Sequence, residues 1–162
     1  MSIKLEQLYS FDYTGQFNFA SLSDDELVSI FLDGRYASEF LSFQMTYEFP
    51  DLLYVDESWY DFSHDDFGQI EQKQITRKDF KFLKSSMVGA GRKPNRAAME
   101  EYIRQNNLHY LLISTSSFPI VHVKLISGAR LLDMFPQQGC GTTAKKACQI
   151  LDIPYEIEPA KK

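Results

Sequence analysis

Residues 61–73, DFSHDDFGQIEQK, hold the side chains of this chain that are best placed for chemistry. The central HDDFG is typical of a turn, and the residues on either side favour β-strands. Asp61 and Glu71 lie equally far from Asp66, so a turn centred there sets them opposite each other, with Cβ atoms about 4.5–5.5 Å apart. Lys73 follows on the same side of its strand. The segment therefore predicts a hairpin that gathers two carboxylates and an ammonium on one face.

Two adjacent carboxylates repel each other unless a cation lies between them. Mg²⁺ suits such a position, because it commonly takes one or two protein carboxylates and keeps several waters. A neighbouring lysine can orient or deprotonate the attacking water, so the trio fits hydrolysis of a phosphodiester. The alternative is an exposed edge hairpin with a weak surface ion pair. QIEQKQIT at 69–76 favours a site, since its polar residues fall on both faces and packing alone does not require that.

The segment YDFSHDDFGQIEQK also resembles the PD-(D/E)xK signature of the restriction-endonuclease-like nucleases, in which an aspartate on one strand precedes a Glu-x-Lys on the next. Asp61, Glu71 and Lys73 match these three positions. The resemblance implies an endonuclease that uses Mg²⁺, with Mn²⁺ as a substitute, and cuts double-stranded DNA. It also implies an acidic residue on the first helix that helps to hold the metal, and Glu39 matches that residue. Short chains of this kind resemble restriction, homing or junction-resolving enzymes of phages and mobile elements.

The chain departs from this signature in one respect. Tyr60, not proline, precedes Asp61, whereas a literal Pro50-Asp51 pair occurs upstream. Asp51 is therefore an alternative metal-binding aspartate. The hairpin favours Asp61, because it sets that residue opposite Glu71, while Asp51 lies before the first strand of the hairpin region.

The surrounding sequence predicts the elements that would position these residues. Ser23 and Glu26 form a capping box at the start of a helix that ends before Pro50, with a break near Gly34. Strands are predicted at 52–55, 59–62, 69–76, 108–115 and 120–127, and helices after the candidate cap Asn95 and at 142–151.

This order predicts an α/β (α+β) fold with a mixed sheet flanked by helices, αβββαββα. The 162 residues fit a single domain, 1–162, with its core at about 24–127 and a C-terminal helix and tail at 142–162. The resemblance implies that the core is restriction-endonuclease-like, since that core runs helix, three strands, helix, strand.

Charge is divided unevenly along the chain, although the net charge is only −5. Residues 1–72 hold fifteen Asp or Glu and two cations, whereas residues 73–104 hold nine Lys or Arg and three carboxylates. A local basic segment of this kind is typical of phosphate contact, although many charge runs are only solvated faces. The predicted DNA-binding residues, two of them after the Glu-x-Lys and three around a glycine-containing loop, are Arg77, Lys78, Arg92, Lys93 and Arg96.

Other features narrow the function classes. The histidines and cysteines lack zinc-site spacing, and no serine-hydrolase elbow occurs. No signal peptide or membrane-length apolar run is visible, so we expect a cytoplasmic protein without a membrane partner. Because one site cuts one strand, we expect a homodimer, or a tetramer built from dimers. The alternative function is a non-catalytic, acidic DNA mimic or protein-binding inhibitor, which the cation-poor first 72 residues suit.

Overall fold

A computed structural model describes residues 1–16, 22–32, 34–55, 57–87 and 91–156, with only the backbone at 34–36. In chain order the elements are β1 (Leu8–Asp12), α1 (Asp24–Leu32), α2 (Gly34–Glu48), β2 (Leu53–Tyr54), β3 (Phe62–His64), β4 (Gly68–Ile75), β5 (Asp79–Lys81), a 3₁₀ helix (Ser85–Met87), α3 (Arg96–Asn106), β6 (His109–Ser114), β7 (Ile120–Ser127), α4 (Gly128–Met134), β8 (Gly141–Thr143) and α5 (Ala144–Leu151).

Six strands form one mixed sheet in the order β1-β7-β6-β4-β3-β2. Strands β2, β3 and β4 form an antiparallel meander, and α3 then carries the chain across to β6, which runs parallel to β4. Strand β7 returns antiparallel to β6, and β1 pairs with β7 at the far edge. Strands β5 and β8 form a separate two-stranded sheet. The prediction of a mixed sheet flanked by helices is thus confirmed.

The two faces of the main sheet are covered by different helices. On one face, Leu41 and Met45 of α2 pack in a buried cluster with Ile70 of β4. On the other face, Ile103 of α3 and residues of α4 and α5 pack with Ile75 of β4. Because successive residues of a strand point to opposite faces, even-numbered positions of β4 face α2 and odd-numbered positions face α3.

Local signals predicted several boundaries. The backbone N–H of Ser23 donates to Glu26 Oε2 at 2.8 Å and that of Glu26 to Ser23 Oγ at 3.4 Å, which is the predicted capping box. Asn95 Oδ1 accepts from the N–H of Ala98 at 3.1 Å and caps α3 as predicted.

Other predictions need correction. The strand predicted at 59–62 is wrong for residues 59–61, because β3 begins at Phe62. The break predicted near Gly34 is, by contrast, confirmed, since α1 ends at Leu32 and α2 begins at Gly34; residue 33 between them lies outside the described residues. Strands β1, β5 and β8 and helix α4 were not predicted, and β1 extends the sheet beyond the predicted core range of 24–127. Among the described residues, no helix combines the length and the apolar character that crossing a membrane requires.

Candidate active site

The β3–β4 hairpin brings Asp61 and Glu71 together. Phe62 pairs with Ile70, Ser63 with Gln69 and His64 with Gly68. The N–H of Asp61 donates to the carbonyl of Ile70 at 3.0 Å, the same residue that pairs with Phe62, and the carboxylate of Asp61 lies beside that of Glu71. The register is the one that a turn centred on Asp66 predicts.

Asp61, which lies just before β3, forms hydrogen bonds towards both neighbouring strands, β2 and β4. Its carbonyl accepts from the N–H of Val55 at 2.8 Å, on the β2 side. The N–H of Gln72, on the β4 side, instead donates to Asp61 Oδ2 at 2.7 Å. The carboxylate therefore replaces a main-chain acceptor of the ladder, and this bond fixes its position beside Glu71.

Glu71 and Lys73 form a shielded ion pair on the α3 face of β4. Lys73 Nζ donates to Glu71 Oε1, and the two side chains are only 16% and 15% exposed. Burial raises the pKa of Glu71 to about 7, because the positive charge of Lys73 only partly offsets the loss of water and the adjacent Asp61 adds negative charge. The site therefore holds a carboxyl group that changes protonation near neutral pH and lies beside a lysine.

Aromatic side chains line the same face. Tyr102 of α3 donates its hydroxyl to Gln69 Oε1 at 2.9 Å, and its ring stacks on Trp59 with centroids 3.9 Å apart. Lys84 Nζ lies 3.8 Å from the centroid of Trp59. These contacts fasten the loop before β3 to α3, so Trp59 packs within the protein beside the site. No local pattern in the sequence indicates the Trp59–Tyr102 contact, because it joins segments that are distant along the chain.

The polar residues on the other face of β4 have structural partners. Gln72 Nε2 donates to the carbonyl of Ser38 at 3.0 Å, and Ser42 donates its hydroxyl to Gln72 Oε1 at 3.1 Å. Gln74 Nε2 donates to Thr115 Oγ1 at 3.0 Å. Docking of α2 thus explains the polar residue Gln72 on this face without a ligand. The residues that indicate a site are therefore those on the odd-numbered face, Glu71 and Lys73.

Glu39 does not join Asp61 and Glu71. It is exposed on α2, and α2 covers the face that carries Gln72, opposite the face that carries Glu71. The described residues include no group of three or more His, Cys, Asp or Glu side chains that could hold a metal. A metal at this site would therefore depend on Asp61 and Glu71.

The alternative aspartate, Asp51, has a different setting. Its Oδ2 accepts from the hydroxyl of Ser2 at 2.5 Å and from the N–H of Ile3 at 3.0 Å, and it lies 3.3 Å from His64 Nε2. His64 and Phe62 share one side of β3, which is the side opposite Asp61. Asp51 thus ties the N-terminal segment to the hairpin turn and lies away from Glu71.

The predicted phosphate-binding residues divide into two groups. Arg77, Lys78, Arg92 and Lys93 are exposed, and Arg92 Nη1 also donates to the carbonyl of Ser85 at 2.7 Å. Residues 88–90 of the predicted glycine loop lie outside the described residues.

Arg96 is instead bound to the protein. Its guanidinium donates to Glu100 Oε1 at 2.7 Å and to three carbonyls around the end of α4, those of Leu132, Phe135 and Gln137. Its side chain is 14% exposed. We therefore leave Arg96 out of the phosphate-binding surface.

The residues present are compatible with Mg²⁺. Asp61 and Glu71 offer two adjacent carboxylates, and Mg²⁺ commonly binds one or two with its remaining positions filled by water and substrate oxygens. The raised pKa of Glu71 reflects burial next to another carboxylate, which a cation would counteract. Comparison with known protein families, curated proteins and solved structures gives no match to this chain.

Proposed function

We propose that this chain is a Mg²⁺-dependent endodeoxyribonuclease of the PD-(D/E)xK kind, which hydrolyses phosphodiester bonds in double-stranded DNA. The observation that carries the proposal is the meeting of Asp61, Glu71 and Lys73 on one face of the β3–β4 hairpin. A site-specific restriction or homing role is the narrower form of the proposal.

The order of the elements adds support. Apart from β5, which belongs to the second sheet, helix α2, the strands β2, β3 and β4, helix α3 and the parallel strand β6 come in the order helix, three strands, helix, strand that the resemblance implies. Asp61 immediately precedes the second of these strands, and Glu71 and Lys73 lie on the third. On this basis we propose a restriction-endonuclease-like core.

In the proposed reaction a water oxygen attacks phosphorus and its proton passes to solvent, while the bond to the leaving sugar oxygen breaks and that oxygen takes a proton from solvent to become a hydroxyl. Asp61 and Glu71 would hold Mg²⁺, which stabilises the negative charge that develops on the phosphate and favours ionisation of the water. Lys73, as the ammonium that is paired with Glu71, would orient the water and stabilise the negative charge on the phosphate. The Asp61–Gln72 hydrogen bond would keep the carboxylate in place. Helix α3 and Trp59 limit the exposure of the pair to solvent.

The direct test is cleavage of supercoiled plasmid with Mg²⁺ and with EDTA. We expect Asp61→Asn, Glu71→Gln and Lys73→Met each to lower the rate at least about 100-fold, because each removes a charge and keeps most of the side chain's shape. Asn at 61 still offers an oxygen to the N–H of Gln72, so the hairpin should fold. Circular dichroism and urea midpoints would verify folding.

Asp79→Asn and Lys81→Met are matched controls, since these residues form an exposed ion pair 3.4 Å long on β5 and undergo the same chemical changes. Glu39→Gln should also cut like wild type, because Glu39 lies on the helix that covers the opposite face. If two of the three site variants cleave at the wild-type rate, the active site is elsewhere. A wild-type chain that neither binds nor cuts DNA would favour the acidic DNA-mimic or inhibitor function.

A further inference from the structure

Two pairs of cations that are distant from each other in sequence lie on segments that adjoin at the small second sheet. Strand β8 pairs with β5, so Thr143 lies opposite Asp79. The N–H of Ala144 donates to the carbonyl of Lys78 at 3.3 Å, which joins the first residue of α5 to the segment just before β5. The cations on these adjoining segments, named here the basic track, are Arg77, Lys78, Lys145 and Lys146.

The cations of the basic track have no ion-pair partner within the described part of the chain. All four residues are exposed. The carboxylate of Asp79 on β5 is paired with Lys81 at 3.4 Å.

Lys145 and Lys146 also lie in the first turn of α5, which contains no acidic residue. The helix dipole disfavours cations at this end. The arrangement works against local stability, and an anion bound along the basic track would reverse that effect.

The basic track lies on the same side of the main sheet as the candidate active site. Phe80 of β5 and Ala144 of α5 belong to the buried cluster that includes Ile75, and Ile75 shares its face of β4 with Glu71 and Lys73. An extended chain advances about 3.3 Å per residue, so Arg77 is at most about 13 Å from Lys73 along the backbone. A DNA strand spans that distance in about four nucleotides, at roughly 3.4 Å each. One DNA strand can therefore reach both Lys73 and Arg77.

We propose that the basic track binds the sugar–phosphate backbone of the DNA that is cut at Asp61, Glu71 and Lys73. The identity of the ligand rests on the proposed function. The track offers a guanidinium and three ammonium groups, which are cationic donors suited to the anionic oxygens of phosphates. It therefore contributes affinity that is independent of DNA sequence, and it adds Lys145 and Lys146 to the residues that contact the substrate.

The test is the salt dependence of binding to a fluorescent DNA duplex, measured by anisotropy in EDTA so that no cleavage occurs. We expect the double variant Lys145→Ala/Lys146→Ala to bind more weakly. Its slope of log K against log salt should be flatter than wild type by about 1.8, that is about 0.9 for each lost contact. Lys145→Arg/Lys146→Arg should retain the wild-type slope, because it keeps both charges.

The matched control is Lys4→Ala/Arg104→Ala, which also removes two exposed positive charges. Arg104 lies near the end of α3, which leads into β6 beside Ile70, at the other end of β4 from the track. This control should keep the wild-type slope.

The possible results separate this proposal from the nuclease proposal. Equal slopes for the track variant and the control would overturn the basic track, even in a protein that cuts DNA with Mg²⁺. A flattened slope in a protein that never cuts would support the track and overturn the nuclease assignment. A wild-type protein that binds anionic lipid vesicles but no DNA would overturn the track as a DNA surface.

Discussion

Asp51 and Asp61 are the same residue type, but their surroundings give them different roles. Asp61 receives a backbone N–H from β4 and lies beside a buried glutamate and a lysine. Asp51 receives two hydrogen bonds from the first residues of the chain, and its Oδ1 is buried without a partner. Although burial opposes ionisation, the hydrogen bonds from Ser2 and Ile3 and the nearby ring of His64 keep the pKa of Asp51 below its ordinary value. The ionised carboxylate of Asp51 thus stabilises the fold by accepting hydrogen bonds from the N-terminal segment.

We therefore predict opposite outcomes for the two Asp→Asn variants. Asp51→Asn should lower the free energy of unfolding by about 1–2 kcal/mol, because charge-assisted hydrogen bonds become neutral ones. Its plasmid cleavage should match wild type under conditions where it is folded. Asp61→Asn should unfold at a similar urea concentration to wild type and lose cleavage. The measurements are urea unfolding and plasmid cleavage on both purified variants, and an inactive Asp51→Asn beside an active Asp61→Asn would move the metal site to Asp51.

At the scale of elements, Arg96 joins two helices. It is the first residue of α3, and its guanidinium binds carbonyls at and beyond the end of α4. The last carbonyls of a helix have no partners within it, and a planar guanidinium can serve several at once. A lysine ammonium is a single point and cannot span the same set.

We accordingly expect Arg96→Lys to lower the free energy of unfolding by about 2–3 kcal/mol. The salt slope of DNA binding should stay at the wild-type value, since the charge is kept and points into the protein. Arg104→Lys is the control, because Arg104 is on the same helix and exposed. An unchanged urea midpoint for Arg96→Lys would contradict the structural role.

Elements whose partners are close in sequence were predictable. The β3–β4 register follows from a turn sequence flanked by alternating residues, and a slip of one residue would turn every side chain to the other face. The α3 cap likewise depends only on Asn95 and the residues just after it.

Elements whose partners are distant in sequence could not be predicted. Strand β1 pairs with β7, more than a hundred residues later, and LYSFD has no turn signal to indicate it. The spacing of apolar residues predicted a helix that contains Glu39 but not which sheet face that helix covers. The roles of Arg96 and Lys145 depend on contacts that form only in the folded protein.

The outward face of α2 is unusual because it exposes large apolar side chains. Phe40, Phe43 and Tyr47 are 37%, 48% and 79% exposed, and Leu53 on the edge strand β2 is 63% exposed. The opposite side of α2 is buried and apolar as well. A surface helix normally carries apolar residues on one side only, so this second apolar side indicates a contact surface.

Together these exposed side chains form an apolar stripe, which consists of Phe40, Phe43, Tyr47 and Leu53. The area of the stripe suits contact with a second copy of the chain. With roughly 200 Å² for each fully exposed side chain, the stripe offers about 400 Å² of apolar surface. A standard interface covers about 800 Å² per partner, somewhat more than half of it apolar. Because α2 covers the face opposite Glu71, a dimer through the stripe leaves both candidate active sites open to DNA.

We predict a two-fold homodimer in which the stripe packs against its copy. Residues 36–72 contain no Lys or Arg, and Glu39 is exposed beside the stripe, so pairing brings like charges together. Salt screens that repulsion, so dimerisation should strengthen as salt rises, opposite to DNA binding. Sedimentation at micromolar concentration should give a dimer for wild type and a monomer for Phe43→Ser/Tyr47→Ser. Ile120→Ser, which changes an exposed apolar residue on β7, should remain dimeric. A chain that is monomeric at every salt concentration, or a stripe variant that still dimerises, would rule out this interface.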